Sequence, residues 1–500
     1  MIKVKVKTLL GLAVLLILGG IIVYWSLPSI LYDNKKYDAL LKLFPNDSRA
    51  EMALYFSAGD AFDIQQGDYR IFIYPVGSNY SSGTINTTAD QRDYAIQQLE
   101  KIIRTYGASP YIYRTKSSLA KLYMWGMEWD KAEALFKELK EKEMNNRENE
   151  PYLIKETDDF LKVLESRHTD PSQQPLLTGK VTIGDKPAKD VYVVLHPKDN
   201  NGWHSPPFGY YPIALTDNEG VYRFYDANGI QGDYEVGVGV TPEQVNGSYL
   251  GDPQIRYVSL KEGATEVYDL TFAPQVQVVS PTNKEVIRGD QLNFAWEAYP
   301  GASYYELSIT DFMRDEKGKI IGSTGTTLDG RWKETNAVYS VEALRQQPHG
   351  YGKSGGGKGQ KTAIGNSGIL GAVYPGGDFI WSVQAYDAGG KLLSSSSGYN
   401  TLLDGVQPFF SLNSEGILEG DRFVMKGDYE SAIRSYEAEK DSDYALRALA
   451  SMAMNGVTME DNGDVAKGLT YLKRIAKPSR YDQEKIRSAE EILAKRRVEP

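Results

Sequence analysis

The residues best suited to contact a ligand are four aromatic side chains in a segment rich in proline and glycine. Residues 198–212 contain Trp203, Phe208, Tyr210 and Tyr211 among turn-forming residues. Rigid aromatic rings on a loop can stack on sugar rings or pack against a partner protein. The same rings could instead fold back over the core of their own domain. The segment is the predicted ligand-binding site, with both interpretations left open.

A glycine-rich stretch further along resembles a phosphate-binding loop without meeting its requirements. Such a loop needs G-x-x-x-x-G-K-[ST] between a strand and a helix. Gly352, Gly357 and Lys358 fit this pattern, but Gly359 stands where the hydroxyl is required, and no apolar strand precedes the stretch. The stretch is interpreted as a flexible cationic loop, so no cofactor is expected.

Acids and histidines form no convincing metal or catalytic site. His196 and His204 match no zinc spacing. The run Asp461-Asn462-Gly463-Asp464 lacks the twelfth-position glutamate of a calcium loop and is interpreted as a loop before the next helix. Asp311 with Asp315 or Glu316 could form a glycosidase pair, but two such carboxylates must face each other across a cleft. No catalytic residue and no metal ligand is assigned.

Composition sets the class of protein. A chain of 500 residues is too long to fold around one ordinary hydrophobic core, so three or four domains are expected. With no cysteine, disulfide frameworks and thiol chemistry are excluded. The formal net charge of −10 argues against nucleic acid as a partner.

The N-terminus predicts a membrane anchor. Residues 1–7 carry three lysines, and no charge follows until Asp33. The apolar segment 8–31 has the length of a spanning helix, with aromatic residues near its outer end. The lysines place residues 1–7 in the cytoplasm and the bulk of the chain outside, in a single-pass arrangement. A cleaved signal peptide is the alternative, but its apolar core would be shorter.

Helical periodicity marks both ends of the chain, over 32–170 and 412–500. In the first range, the small and aromatic positions of a helix pair resemble the tetratricopeptide repeat (about 89–166), whose unit is two antiparallel helices. They are Leu119, Ala120, Tyr123, Ala132 and Phe136. The second range resembles the same repeat over about 416–496, at Gly420, Phe423, Gly427, Ala432 and Tyr436. The departure from the pattern is Met127, where a glycine is common.

Alternating periodicity predicts a β domain over 175–272. Gly184-Asp185 is the turn of one predicted hairpin, and 214–226 forms another around Asn218-Glu219-Gly220. A pattern of glycine, proline, β-branched and aromatic positions runs through the range, at Gly179, Val181, Pro187, Ala188, Val191, Val193, Thr216, Asp217, Gly220, Tyr222, Phe224, Gly232, Tyr234 and Val236. This pattern resembles the carboxypeptidase regulatory-like domain, which implies a transthyretin-type β-sandwich of accessory, non-catalytic character.

A second β domain is predicted over 273–411. Trp296 lies in an early strand, and Trp381, Val383 and Ala385 alternate in a later one. This resembles a fibronectin type III or immunoglobulin-like sandwich, in which a buried tryptophan packs the centre. The long insertion 313–375 departs from that family.

The predicted architecture is therefore multidomain α and β. It has an N-terminal membrane helix, helical repeats at both ends and two central antiparallel β-sandwiches. Modules of these kinds present binding surfaces. We therefore expect a non-catalytic binding or scaffold protein on the outside of a bacterial cell, with a protein or a surface polysaccharide as its partner. The alternatives are a cell-wall or polysaccharide-processing enzyme, and a secretion or assembly factor. The oligomeric state is left open.

Overall fold

The chain divides into two units, each built from helices and β-sheets. The first unit extends to Phe272 and includes Tyr399, and the second holds the other described residues from Ala273 onward. This computed structural model describes residues 25–61, 71–75, 89–125, 128–143, 151–165, 174–198, 212–225, 231–253, 257–282, 285–314, 320–354, 362–399, 409–439 and 442–498. Helices occupy both ends of the chain, as predicted.

The predicted membrane segment 8–31 is described only from residue 25, and the tail 1–7 also lies outside the described residues. Residues 25–33 are helical and form α1. Within the described part of the chain, no helix has the length and apolar character needed to cross a bilayer.

The first unit continues with further helices. They are α2 (Tyr37–Leu43), α3 (Ala50–Ala61), α4 (Ala89–Thr105), α5 (Ile112–Trp125), α6 (Trp129–Glu138), a π-helical turn (Leu139–Glu143), α7 (Pro151–Glu165) and the later short α8 (Pro242–Val245). Ala120 and Ala132 are fully buried, as their predicted place between α5 and α6 requires. A helix pair is thus present, and its kinship with the tetratricopeptide repeat stays a prediction.

Two sheets complete the first unit. Their strands are β1 (Ile71–Ile73), β2 (Leu177–Ile183), β3 (Lys186–Pro187), β4 (Tyr192–Pro197), β5 (Ile213–Leu215), β6 (Val221–Phe224), β7 (Gly232–Val240), β8 (Ser248–Leu250), β9 (Val258–Leu260), β10 (Glu266–Val267) and β11 (Leu270–Pro274). One sheet has the order β1-β7-β4-β5 with β9 on β7, and the other has the order β10-β2-β11-β8 with β3 and β6 on β2. Strand β1 lies within the domain 32–170, in the stretch near 67–88 that the sequence marks as more irregular than the helices around it, and pairs antiparallel with the end of β7.

Strand β4 is buried on both faces. Tyr192 and Val194 belong to the apolar cluster shared with the helices, while Val193 and Leu195 belong to the cluster between the two sheets. A half-buried strand alternates apolar and polar residues, whereas a strand covered on both sides is continuously apolar. The helices therefore cover the outer face of the first sheet.

The structure confirms the predicted hairpin at Gly184-Asp185, where β2 pairs with β3.

The turn at residues 217–220 does not close the hairpin that was predicted around it. The predicted hairpin 214–226 is wrong, because β5 pairs with β4 in one sheet and β6 pairs with β2 in the other. Asp217 Oδ1 accepts hydrogen bonds from the amides of Glu219 and Val221, and this tight turn carries the chain between the sheets.

The second unit holds the remaining strands. They are β12 (Val278–Ser280), β13 (Glu285–Ile287), β14 (Gln291–Trp296), β15 (Tyr304–Arg314), β16 (Ile320–Thr327), β17 (Asn336–Ser340), β18 (Lys353–Ser354), β19 (Ala363–Ile364), β20 (Asp378–Tyr386), β21 (Leu392–Ser395) and β22 (Phe409–Leu412). One sheet has the order β12-β14-β17, a second has the order β13-β22-β20-β15-β16 with β21 on β20, and β18 pairs with β19. The predicted Trp296 and Trp381 are both buried, with ring centroids 6.5 Å apart.

Most described strand pairs are antiparallel, as predicted, but two of the sheets also contain parallel pairs. Among the described strands, β2 runs parallel to β10 and β11, and β13 runs parallel to β22. The alternation of side chains shows which face of a strand is buried, but both strand directions share that alternation.

The helices of the second unit fall in the insertion and at the C-terminal end. They are α9 (Val341–Gln346), α10 (Asn366–Leu370), α11 (Glu419–Met425), α12 (Tyr429–Ala438), α13 (Asp443–Asn455), α14 (Val465–Leu472) and α15 (Arg480–Val498). In the pair α11–α12, Gly420 lies against the ring of Tyr436, and a β-carbon at residue 420 would overlap that ring. Glycine is therefore required there for close approach of the two helices.

The insertion 313–375 joins the sheets of the second unit to its C-terminal helices. Tyr444 Oη donates to the Leu370 carbonyl at 3.1 Å, and Ser451 Oγ donates to the Gly368 carbonyl at 2.6 Å. Sheets, insertion and helices form one continuous apolar core. The insertion is thus a structural element of the unit.

Replacing Gly420 by alanine should destabilise the second unit, because the added methyl group would separate α11 from α12. We expect Gly420→Ala to lower the free energy of unfolding by about 1–3 kcal/mol. Gly350→Ala is the matched control, since a β-carbon at residue 350 meets no atom within 4 Å. Denaturant unfolding followed by circular dichroism measures both, and equal stability of the two variants would contradict the proposed close packing.

Candidate functional site

The predicted aromatic site, Trp203, Phe208, Tyr210 and Tyr211, lies outside the described residues. Its stem is described: β4 ends at Pro197 and β5 begins at Ile213. The amide of Lys198 donates to the Asp233 carbonyl at 3.0 Å, which holds the outgoing strand against β7. Whether the four rings bind a ligand or cover the domain's own core stays a prediction.

His196 lies in the core beneath this stem. It is 2% exposed, and its Nε2 atom lies 2.8 Å from Tyr74 Oη. Burial lowers the pKa of His196 to about 4, so the imidazole is neutral at physiological pH. His204, the other histidine tested for zinc spacing, lies outside the described residues. Among the described residues, no group of three acids or histidines is placed to hold a metal ion.

Asp311, the described member of the predicted acid pair, is a structural carboxylate. It is 2% exposed, and its two oxygens accept from the Ser367 amide at 2.9 Å and from Tyr374 Oη at 3.0 Å. Burial raises the pKa of Asp311, although both hydrogen bonds oppose the shift. Since both donors belong to the insertion, this carboxylate fixes the insertion to strand β15. Asp315 and Glu316 lie outside the described residues.

A second buried acid joins the insertion to the helices. Asp421 Oδ1 accepts from Tyr436 Oη at 2.5 Å, and its Oδ2 lies 3.7 Å from the guanidinium of Arg345. Arg345 also stacks on Tyr444, with 3.4 Å between the guanidinium carbon and the ring centroid. Burial raises the pKa of Asp421. Arg345 on α9 thus contacts Asp421 on α11 and Tyr444 on α13, and these contacts hold the three helices together.

The run 461–464 is a loop before α14, as predicted. Asp464 caps this helix by accepting from the Lys467 amide at 2.9 Å. Asp461 accepts from the amides of Gly463 and Val457, and these hydrogen bonds lower its pKa. Lys353 Nζ donates to the carbonyls of Thr458 and Asp461, at 2.9 and 2.6 Å. The ammonium group of Lys353, on β18 of the same unit, therefore holds this loop in place. In the predicted glycine-rich stretch, Gly352 is described and residues 357–359 are not.

A cleft opens beside this loop in the C-terminal helices, with a volume of about 250 Å³. Its floor is apolar, and its rim carries two carboxylates and one ammonium group. The floor residues are Ile433, Leu449, Met452, Ala453 and Val457. The exposed charged residues of the rim are Asp461, Asp464 and Lys467, and Gly463 and the buried Tyr471 complete the lining.

The cleft was not predicted from the sequence. The helical face that includes Leu449, Met452 and Ala453 is visible in the periodicity of α13. Ile433 on α12 and Tyr471 on α14 join it only through the packing of three helices. The cleft is small beside ordinary cofactor sites of about 300–1,000 Å³, and its size suits one apolar side chain of a partner.

No family model matches the sequence. No curated protein matches it either. A DUF3823 family protein from Parabacteroides merdae is similar at 14% identity, with 47% of this chain and 97% of that chain covered and a TM-score of 0.15.

Two further solved structures show similarity at the same level. A DUF3823 family protein from Bacteroides ovatus has 13% identity, 44% and 95% coverage and a TM-score of 0.13. The FN1–FN3 domains of chicken CNTN1 have 10% identity, 47% and 65% coverage and a TM-score of 0.13.

Protonation of His196 should destabilise the first unit below neutral pH. Because the folded-state pKa of about 4 lies below the ordinary 6.5, the unfolded chain takes up the proton first. The contribution of neutral His196 to the free energy of unfolding is therefore complete above pH 6.5. It is lost as the pH drops from 6.5 to 4, which lowers the free energy of unfolding by up to about 3 kcal/mol. The measurement is the unfolding midpoint against pH. In His196→Gln, which keeps a polar partner for Tyr74, this part of the pH dependence should disappear; an unchanged profile would contradict the assignment.

Proposed function

We propose that the chain is a membrane-anchored, non-catalytic scaffold at the outer surface of a bacterial cell, and that its C-terminal helices bind an extended segment of a partner protein. The cleft between α12, α13 and α14 carries this proposal. An apolar floor with charged groups at its rim suits an apolar anchor residue inserted from a peptide.

The charges at the rim favour a basic segment. Two carboxylates, Asp461 and Asp464, and one ammonium group, Lys467, line the cleft. The Asp461 carboxylate is ionised at neutral pH, and the hydrogen bonds from the amides of Gly463 and Val457 lower its pKa further. Complementary charges steer association and suppress wrong partners. The proposed ligand is therefore an apolar residue flanked by lysine or arginine.

The buried acids support a non-catalytic role. Asp311, the described member of the acid pair that the sequence left open to catalysis, accepts hydrogen bonds from the Ser367 amide and from Tyr374 Oη of its own unit. Asp421 likewise accepts from Tyr436 Oη. The membrane anchor and the outward orientation follow from the lysines at 1–7 and the apolar segment 8–31.

Blocking the cleft should abolish peptide binding. We expect Ile433→Arg in the full-length chain to weaken binding of basic, apolar-anchored peptides at least about tenfold, because a charged side chain would occupy the floor. The matched control is Ile492→Arg on α15, since Ile492 is 39% exposed and does not line the cleft. Fluorescence anisotropy with labelled peptides in detergent solution measures both.

Two results would contradict this function. Equal binding of acidic and basic peptides, insensitive to Ile433→Arg, would remove the cleft as the site. Turnover of a cell-wall polysaccharide by the purified chain would support the enzyme alternative instead.

A further inference from the structure

Strand β17 forms one edge of a three-stranded sheet in the second unit. It pairs with β14 on one side, and no described strand pairs with its other side. Its side chains alternate: Ala337 and Tyr339 are buried, whereas Asn336, Val338 and Ser340 are exposed. Val338 is 48% exposed, which is unusual for a large apolar residue in a strand.

The hydrogen bonds to β14 show which backbone groups of β17 point away from the sheet. The Trp296 amide donates to the Thr335 carbonyl at 3.0 Å, so the backbone groups of Thr335 face β14. In an antiparallel pair, the N–H and C=O of one residue point to the same side, and successive residues alternate. The groups of Asn336 and Val338, an odd number of residues further along, therefore face the open edge. Such a row of donors and acceptors is a template for a further strand.

This edge lacks the features by which proteins commonly prevent strand pairing, which are charges, prolines and bulges. The residues of β17 include no charge and no proline, and the strand pairs with β14 without a shift in register. The opposite edge of the same sheet is different. There, β12 has an irregularity between Val278 and Ser280, and Pro281 follows the strand.

The sequence of β17 suits pairing with a copy of itself. In an antiparallel pair centred on Val338, Asn336 of one copy would lie opposite Ser340 of the second copy, and the two Val338 side chains would lie opposite each other. Asparagine and serine can form a hydrogen bond, and β-branched side chains pack well across strands. The same patch is used on both copies, as a two-fold symmetric interface requires.

Charge does not oppose this pairing within the strand. The nearest charged residues in the sequence are Lys333 and Glu334 before β17 and Glu342 after it. All three lie outside Asn336–Ser340, so no like charges would lie opposite each other across the paired strands.

We infer that β17 pairs antiparallel with β17 of a second copy of the chain, about a two-fold axis at Val338. The sheet β12-β14-β17 then continues from one copy into the other. The inference goes beyond the proposed function, because it depends on neither the cleft nor the membrane anchor.

The cysteine-free sequence allows a direct test in the full-length chain in detergent solution. Residues opposite each other in a hydrogen-bonded antiparallel pair have Cα atoms about 5.5 Å apart, a distance that a disulfide spans. Val286, on β13, is 53% exposed and provides the matched control. Under mild oxidation, we expect Val338→Cys to form at least about fivefold more intermolecular disulfide than Val286→Cys, as measured on non-reducing gels. Equal cross-linking of the two variants would reflect random collision and overturn the inference.

A mixture of variants tests the register. Asn336→Cys mixed with Ser340→Cys should form more intermolecular disulfide than either variant alone, because these residues lie opposite each other in the proposed pair. Circular dichroism checks that both variants fold, since the Ser340 hydroxyl caps α9 by accepting from the Ala343 amide at 3.3 Å. Efficient cross-linking of Asn336→Cys with itself would contradict the two-fold pairing.

Reversible association is measured without cysteines. Sedimentation velocity over about 1–100 μM should detect a dimer, and Val338→Lys should raise its Kd at least about tenfold, because two ammonium groups would lie opposite each other. Val286→Lys should leave the Kd unchanged. A chain that stays monomeric, or a dimer insensitive to Val338→Lys, would overturn the inference. So would a monomer whose binding of an extended peptide is lost in Val338→Lys, since the edge would then serve a different protein.

Discussion

The structure depends on mutual burial, because neither the helices nor the sheets can cover their apolar surface alone. In the first unit, β4 directs Tyr192 and Val194 toward the helices and Val193 and Leu195 toward the second sheet. In the second unit, one core runs from the paired sheets through the insertion into α13. Helix pairs of this kind need a neighbour to be stable, and here a sheet belongs to the core that stabilises them.

Local signals in the sequence predict the elements well and their partners poorly. The periodicity of α5 and α6 correctly places Ala120 and Ala132 in the core. The turn at Asp217–Gly220 was also found, but a tight turn can join two paired strands or lead from one sheet to another. Here the chain passes from one sheet to the other, because β6 pairs with β2, whose residues are far away in the sequence. Pairing partners are set by tertiary packing, so a single sequence does not reveal them.

The same limit applies to the candidate site. Asp311 suggested chemistry as an acid near other acids, yet its oxygens bind the amide of Ser367 and the hydroxyl of Tyr374, both many residues away. The cleft shows the converse: Ile433 and Tyr471 carry no motif and become a candidate site only when α12 and α14 flank α13. Residue type indicates what a side chain can do, and packing decides whether it faces a ligand or the core.

The ammonium group of Lys353 also bears on how this protein responds to its surroundings. Loops rich in aspartate and glycine are commonly ordered by a divalent ion, and their shape then follows the ion's concentration. Here the cation is a side chain of the same polypeptide, bonded to two carbonyls of the loop. Because this ammonium group ties the loop to β18, the shape of the cleft wall should follow the contacts of Lys353 rather than the concentration of a divalent ion.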